Sequence, residues 1–147
     1  MKKTIFGVIF ILLPFFLQAQ DVMTNQDIIA MKSSKISDDM VISKIISSEC
    51  NFDLTVQGII SLKNMKVSDK VLKIMFTASP PTATIYNDDI ISLSNAKVSR
   101  DIINRTIMAT PHDFDVSPEG LIKLKTAKVN ASIIKTMMVS PKQEKRK

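Results

Sequence analysis

A lysine followed by Ile or Val and then by Ser or Asn recurs four times at a spacing of 31 residues, as Lys35-Ile36-Ser37, Lys66-Val67-Ser68, Lys97-Val98-Ser99 and Lys128-Val129-Asn130. The same step relates Ile28, Ile59, Ile90 and Leu121, then Ile29, Ile60, Ile91 and Ile122, then Met31, Leu62, Leu93 and Leu124. A gap-free period of this length restricts the fold to one supersecondary unit stacked on copies of itself. Such a unit is too small to bury its apolar face alone.

Each unit reads as two short helices. The first opens at Thr24, Thr55 or Ser117, whose side-chain oxygen can accept from an orphan backbone N–H, and Pro118 stands where its missing donor costs nothing. The third unit has Tyr86 in the cap slot, and Asn87 is expected to take over. Apolar residues bracket the caps as hydrophobic staples: Leu54 with Ile59 and Val116 with Leu121 in first helices, Ile36 with Val41 and Val67 with Leu72 in second helices. Within the second helices the apolar positions run Val71, Leu72, Met75 and Phe76, or Ile133, Ile134, Met137 and Met138, which is helical spacing. The Ile and Val content favours strand, but caps followed by i, i+4 spacing outweigh that small propensity deficit. On this phase Leu62 and Leu93 are buried, while Lys63 and Ser94 are exposed.

A second period overlies the first. Units one and three end in Cys50-Asn51-Phe52-Asp53 and His112-Asp113-Phe114-Asp115, whereas unit two ends in Ser79-Pro80-Pro81-Thr82. The expected fold class is therefore all-α: four tandem 31-residue helix-turn-helix repeats arranged as two duplicated four-helix halves, after an N-terminal signal peptide. The boundaries read as a signal peptide at 1–19, repeats one and two at 20–79, a Pro-rich linker at 80–85, repeats three and four at 86–141 and a basic tail at 142–147. Tandem prolines cannot continue a helix, and Phe52 and Phe114 are expected to plug the join within each half.

Residues 1–20 carry the parts of a secretory signal, with Lys2 and Lys3 ahead of an apolar run from Ile5 to Leu17 and then Leu17-Gln18-Ala19. That run falls short of the roughly 20 residues that span a bilayer. Cleavage is expected after Ala19, with the body exported to a bacterial periplasm or beyond. The formal net charge of +6 sits mostly at the ends, in Lys2, Lys3, Lys142, Lys145, Arg146 and Lys147, and the body is close to neutral. Cys50 is the single cysteine, so no internal disulfide forms and stability rests on packing.

The unit Thr-Val-Gln-Gly-Ile-Ile-Ser-Leu-Lys-Asn-Met-Lys-Val-Ser-Asp-Lys-Val-Leu-Lys-Ile-Met (55–75), with the joints Phe-Asp-Leu-Thr and Phe-Asp-Val-Ser, resembles a short helical tandem repeat of exported, mostly uncharacterised bacterial proteins. The resemblance covers residues 24–140 and implies a helical module and export, with no named activity. The turn position held here by Lys35, Lys66, Lys97 and Lys128 is often Gly in that pattern, so either the turn geometry differs here or lysine is tolerated in a conformation that Gly adopts more easily.

Little in the chain points to catalysis. His112 is the sole histidine and its mate in the longer period is Cys50; both are expected on the loop surface rather than as a catalytic or metal pair. Asp38 with Asp39, and Asp88 with Asp89, fall in the first turns of helices, where carboxylates meet the positive end of the dipole. Asp53 and Asp115 read as turn residues, no Ca²⁺ loop spacing is present, and Gly58 and Gly120 form no phosphate loop. No enzyme, cofactor, metal site or small-molecule substrate is expected. DNA binding is disfavoured too, because the Gly-hydrophobic-Gly turn of a helix-hairpin-helix module is absent. The expected function is an exported binding or structural module that mediates protein interaction in the bacterial envelope. The alternative is attachment to anionic lipid or polysaccharide through the basic tail and the candidate anionic-contact residues Lys35, Lys66, Lys97 and Lys128.

Overall fold

The computed structural model describes residues 22–141; the expected leader, its cleavage after Ala19 and the basic tail lie outside them. Among the described residues the chain is all-helical, with α1 (Asn25–Ser33), α2 (Asp38–Ile46), α3 (Val56–Asn64), α4 (Asp69–Ala78), α5 (Asn87–Asn95), α6 (Arg100–Ala109), α7 (Pro118–Thr126) and α8 (Ala131–Val139). The odd helices pack in chain order, α1 on α3, α3 on α5 and α5 on α7, and the even helices do the same, α2 on α4, α4 on α6 and α6 on α8. Both layers pass the Pro80-Pro81 segment without a break. One hydrophobic cluster takes side chains from all eight helices, with Ile28, Ile59, Leu62, Ile90, Leu93 and Leu124 on the odd side and Val41, Leu72, Met75, Ile103, Ile107 and Ile133 on the even side. Full burial of such a side chain stabilises by about 1.5–3 kcal/mol. The stripe therefore outweighs the weak helix propensity of these nine- and ten-residue segments.

The caps follow the sequence in most helices. Ser68 and Ser99 accept from the N–H groups of Val71 and Ile102, Thr55 and Ser117 from Gly58 and Gly120, and Asn130 from Ser132. Two differ. At α1 Thr24 and Asp27 form a capping box, in which the Thr24 N–H and hydroxyl donate to Asp27 Oδ2 at 2.7 and 2.9 Å. In α5 the expected substitute, Asn87, does not cap, and Asp89 Oδ2 takes the Tyr86 N–H at 2.8 Å. A carboxylate at the third helical position thus reaches back to the entry backbone.

Asn87 is used elsewhere. Its Nδ2 donates to the Asp115 carbonyl at 2.8 Å and its Oδ1 accepts the Asp115 N–H at 3.0 Å; Asn25 clasps Asp53 in the same way. Beside these clasps Met23 pairs in parallel with Cys50, and Ile85 with His112, so each connector is tied to the segment that enters the preceding odd helix. Asp53 and Asp115 then turn the chain, accepting from the N–H groups of Thr55 and Ser117. A Cβ at Gly58 or Gly120 would collide with the backbone carbonyl of Asp53 or Asp115, and this close approach accounts for both glycines. Phe52 is buried, but Phe114 is only half-buried.

Leu62 and Leu93 are fully buried as the helical phase requires. Lys63 and Ser94 are not exposed as expected. Lys63 is half-buried with Nζ 2.6 Å from Asp69 Oδ1, and Ser94 Oγ is buried with no hydrogen-bond partner among the described residues. Lys63 is drawn across the turn to Asp69, the first residue of α4, and α5 packs on α6 where Ser94 stands.

Candidate functional site

The four lysines occupy the tightest positions of the fold. Lys35, Lys66, Lys97 and Lys128 have φ of 60°, 60°, 57° and 60°, and no other non-glycine residue described has a positive φ. At the first of these turns the Lys35 N–H donates to the Lys32 carbonyl and the Ile36 N–H to the Met31 carbonyl, each at 3.0 Å. The same pair of bonds closes α3, α5 and α7, so the last carbonyls of the odd helices are taken by backbone N–H groups. The apolar residue after each lysine folds back over its helix end: Val67, Val98 and Val129 are buried and Ile36 is half-buried. It also precedes the cap of the next helix, so one residue serves two devices. The lysine itself is left outside. All four side chains are exposed and make no hydrogen bond or ion pair among the described residues. A left-handed conformation costs a non-glycine residue about 1–2 kcal/mol, and no side-chain contact offsets it here.

Because the odd helices run to these turns and the even helices run away from them, all four lysines lie along one edge of the stack. Lys125 and Arg100 stand beside them and are exposed. The acidic groups nearby are largely taken: Asp38 by Lys32 at 2.5 Å, Asp39 by Lys70 at 2.5 Å, Asp69 by Lys63 and Asp101 by Lys73 at 3.3 Å. Hydrogen bonds from Lys32 and the Ser68 hydroxyl hold the Asp38 carboxyl below its ordinary range. For Asp69, burial pushes the other way, and hydrogen bonds from Lys63 and Ser99 overcome it. The opposite edge is acidic. Its connectors and helix entries carry Asp27, Glu49, Asp53, Asp88, Asp89, Asp113, Asp115 and Glu119, with no lysine or arginine among residues 47–55, 79–89 and 110–119. A body close to neutral is thus divided across its width.

The acidic edge also carries apolar surface. Ile46, Met108 and Val139 occupy the same place at the ends of α2, α6 and α8 and are 73%, 67% and 70% exposed, with Thr77 at that place in α4. Between the ends of α2 and α4 lies a cleft of about 500 Å³ lined by Ile45, Ile46, Ser48, Glu49, Cys50, Ile74, Thr77 and Ala78. Cys50 is half-buried, its Sγ lies 3.5 Å from the carbonyls of Ile45 and Ser48, and burial pushes its thiol up.

Its mate His112 departs from expectation. Instead of lying on the loop surface, His112 is buried, stacked on Phe114 with ring centroids 4.7 Å apart and planes at 15°. Pairing of its backbone with Ile85 draws the connector inward and carries the ring with it. Nδ1 lies 3.0 Å from the Thr110 carbonyl, which can only accept, so Nδ1 carries the hydrogen; Nε2 is buried without a hydrogen-bond partner among the described residues. Cys50 is paired with Met23 and His112 with Ile85, so the two belong to separate joints. The acidic pairs separate as well: Asp38 and Asp39 pair with Lys32 and Lys70, Asp88 with Lys123, and Asp89 caps α5.

Among the described residues no three His, Cys, Asp or Glu side chains are gathered to hold a metal ion, and no helix is long and apolar enough to cross a membrane. The signal for the joints was present in the sequence, since Met23 and Asn25 recur as Ile85 and Asn87, but an unpaired Asn carries no mark of its partner. Compared with known families, curated proteins and solved structures, the chain matches none.

Proposed function

We propose that the protein is an exported, non-catalytic module of four tandem helical repeats that binds another protein in the bacterial envelope. The observation that carries this reading is the exposed apolar row of Ile46, Met108 and Val139. None of the three belongs to the hydrophobic cluster; they recur at one place in α2, α6 and α8, with Thr77 at that place in α4, on the edge that carries the carboxylates, and Ile46 also lines the cleft. Large exposed apolar groups in register, rimmed by charge, are the composition of a protein contact. A partner segment that is apolar with basic flanks fits them. The repeat reading is supported by the recurrence of one turn geometry at four lysines and by the serial packing of both helix layers.

A second reading has its own observation. Four lysines held at positive φ without a side-chain partner form a basic edge that fits an anionic polymer or lipid surface. Ionic strength separates the two, because charge-driven attachment fades as salt shortens the Debye length from about 10 Å at 0.1 M to about 3 Å at 1 M. The test is recovery of the protein from envelope fractions with its bound partner, at low and high salt, for the native chain and two variants. Loss of the partner in the variant with Asp at positions 46, 108 and 139, with binding at high salt in the native chain, supports the protein contact. Loss at high salt and in the variant with Gly at all four turn positions transfers the function to the lysine edge. Intact mass of the recovered chain tests export, since a retained Lys2 is incompatible with cleavage after Ala19.

A further inference from the structure

The ends of the stack expose apolar side chains whose counterparts elsewhere are buried or half-buried. Met40 in α2 is 65% exposed, although Val71, Ile102 and Ile133 hold the same place in α4, α6 and α8 and are at most 3% exposed. At the other end Met138 in α8 is 55% exposed, while Ile45, Phe76 and Ile107 are at most 2% exposed. Ile122 in α7 repeats the contrast at 65%, against half-buried Ile29, Ile60 and Ile91. Among the described residues, one place is open only in the first helix pair and the others only in the last. A stacked array that stays monomeric needs terminal units with polar outer faces; the α8 end exposes Met138 and Ile122, and the α2 end exposes Met40 beside Lys44, which holds the place of buried Met75, Thr106 and Met137.

We propose that these ends are complementary and that a second copy of this chain stacks its α1 and α2 on α7 and α8 of the first, continuing both layers head to tail. The two faces are the two sides of one interface that the chain already builds inside itself. Where α4 meets α6, and α3 meets α5, a face of the α8 and α7 type is covered by a face of the α2 and α1 type. Charge agrees with that register. Lys73 on α4 pairs with Asp101 on α6 at 3.3 Å. Two sequence periods on from Lys73 is Lys135 on α8, and two periods back from Asp101 is Asp39 on α2. Lys135 is exposed, and the Asp39 carboxylate is largely exposed even while it accepts from Lys70. A second copy placed by the internal register therefore brings Asp39 to Lys135, with Met40 entering the joint that Met138 and Ile122 leave open. Because the two faces differ, the contact is heterologous and does not close at two copies, so the product is a chain of subunits whose length grows with concentration.

The test uses the protein expressed from its full sequence, with sedimentation and light scattering from micromolar to millimolar concentration. The native protein is expected to form a concentration-dependent series beyond the dimer. Met40→Asp blocks one end and Met138→Asp the other; both sites are more than half exposed, so helical circular dichroism is expected to be unchanged in each variant. Each variant alone is expected to be monomeric, and an equimolar mixture is expected to form a discrete dimer, because the one free α8 end meets the one free α2 end. Monomeric native protein at every concentration overturns the proposal and assigns the open faces to a different occupant. So does association that survives both substitutions, and so does a mixture that stays monomeric, because a symmetric contact gives no such complementation. The experiment involves no envelope partner, so its outcome is independent of the binding reading above.

Discussion

A lysine at φ near 60° holds a conformation that a glycine holds without strain, and the exposed side chain has nothing to lose at the turn. Replacement of Lys66 by Gly is therefore expected to raise stability by up to about 1 kcal/mol, whereas Lys66→Val is expected to lower it, because a β-branched side chain fits that region worst. Urea midpoints of the two variants against the native chain check the sign. A stable, folded Gly variant means that lysine is kept there at the expense of conformation. Asn87 presents the opposite case, a side chain whose whole role is structural. It is buried and satisfies both backbone groups of Asp115, so Asn87→Ala leaves them unpaired and is expected to cost about 1–3 kcal/mol. Asn25→Ala is expected to cost less, since the Asp53 joint is exposed to water. Hydrogen exchange at the Asp115 and Asp53 amides distinguishes the two sites directly.

Within an element, one step along the helix decides what a substitution does. Leu93 is fully buried in α5 and Leu62 in α3, so Leu→Ala at either is expected to cost about 2–5 kcal/mol through lost transfer energy and the cavity left behind. Ser94 is different: its hydroxyl is buried without a partner, and Ser94→Ala removes an unpaired group at almost no change in volume. Stability is expected to be unchanged or slightly raised. Denaturation of Leu93→Ala beside Ser94→Ala measures both, and equal losses would refute the assigned packing. The helices were legible in the sequence because caps and apolar spacing are local properties. The Lys63 to Asp69 pair and the burial of Ser94 were not, because they depend on how closely two helices approach across a turn.

At the scale of the molecule, the carboxylates set the response to acid. Asp27, Asp38, Asp69 and Asp115 all sit below their ordinary range when folded; for Asp27 and Asp115 the cause is hydrogen bonding from Thr24 and from Ser117. The unfolded chain then binds more protons than the folded one below the usual carboxylate value of about 3.9. Their stabilisation is complete above that value and is lost as pH falls through the folded values. The urea midpoint is expected to be flat from neutral pH to about pH 5 and to drop below about pH 4. A midpoint that rises on acidification would contradict the direction of these shifts. The loss is expected in one transition, because one hydrophobic cluster joins all eight helices.

The sequence alone determined the helices, the turns between them and the central inward-facing residues such as Leu62 and Leu93, since capping, staples and period act within a few residues of one another. It also marked Lys35, Lys66, Lys97 and Lys128 as unusual, because the same residue type returns at the same place four times. Which elements become neighbours was decided by the tertiary structure. A 31-residue period states that units are alike but not how they stack. The serial packing of odd on odd and even on even helices settles that, and with it the separation of a basic edge from an acidic one. The joints belong to the same class. Asn25 and Asp53 lie 28 residues apart, as do Asn87 and Asp115, and Met23 meets Cys50 as Ile85 meets His112. Long-range hydrogen bonds leave no local pattern. The folded connector places the His112 ring on Phe114 rather than at the surface, and Met138, which helical spacing groups with Ile133 and Met137, is exposed at the last helix of the described residues.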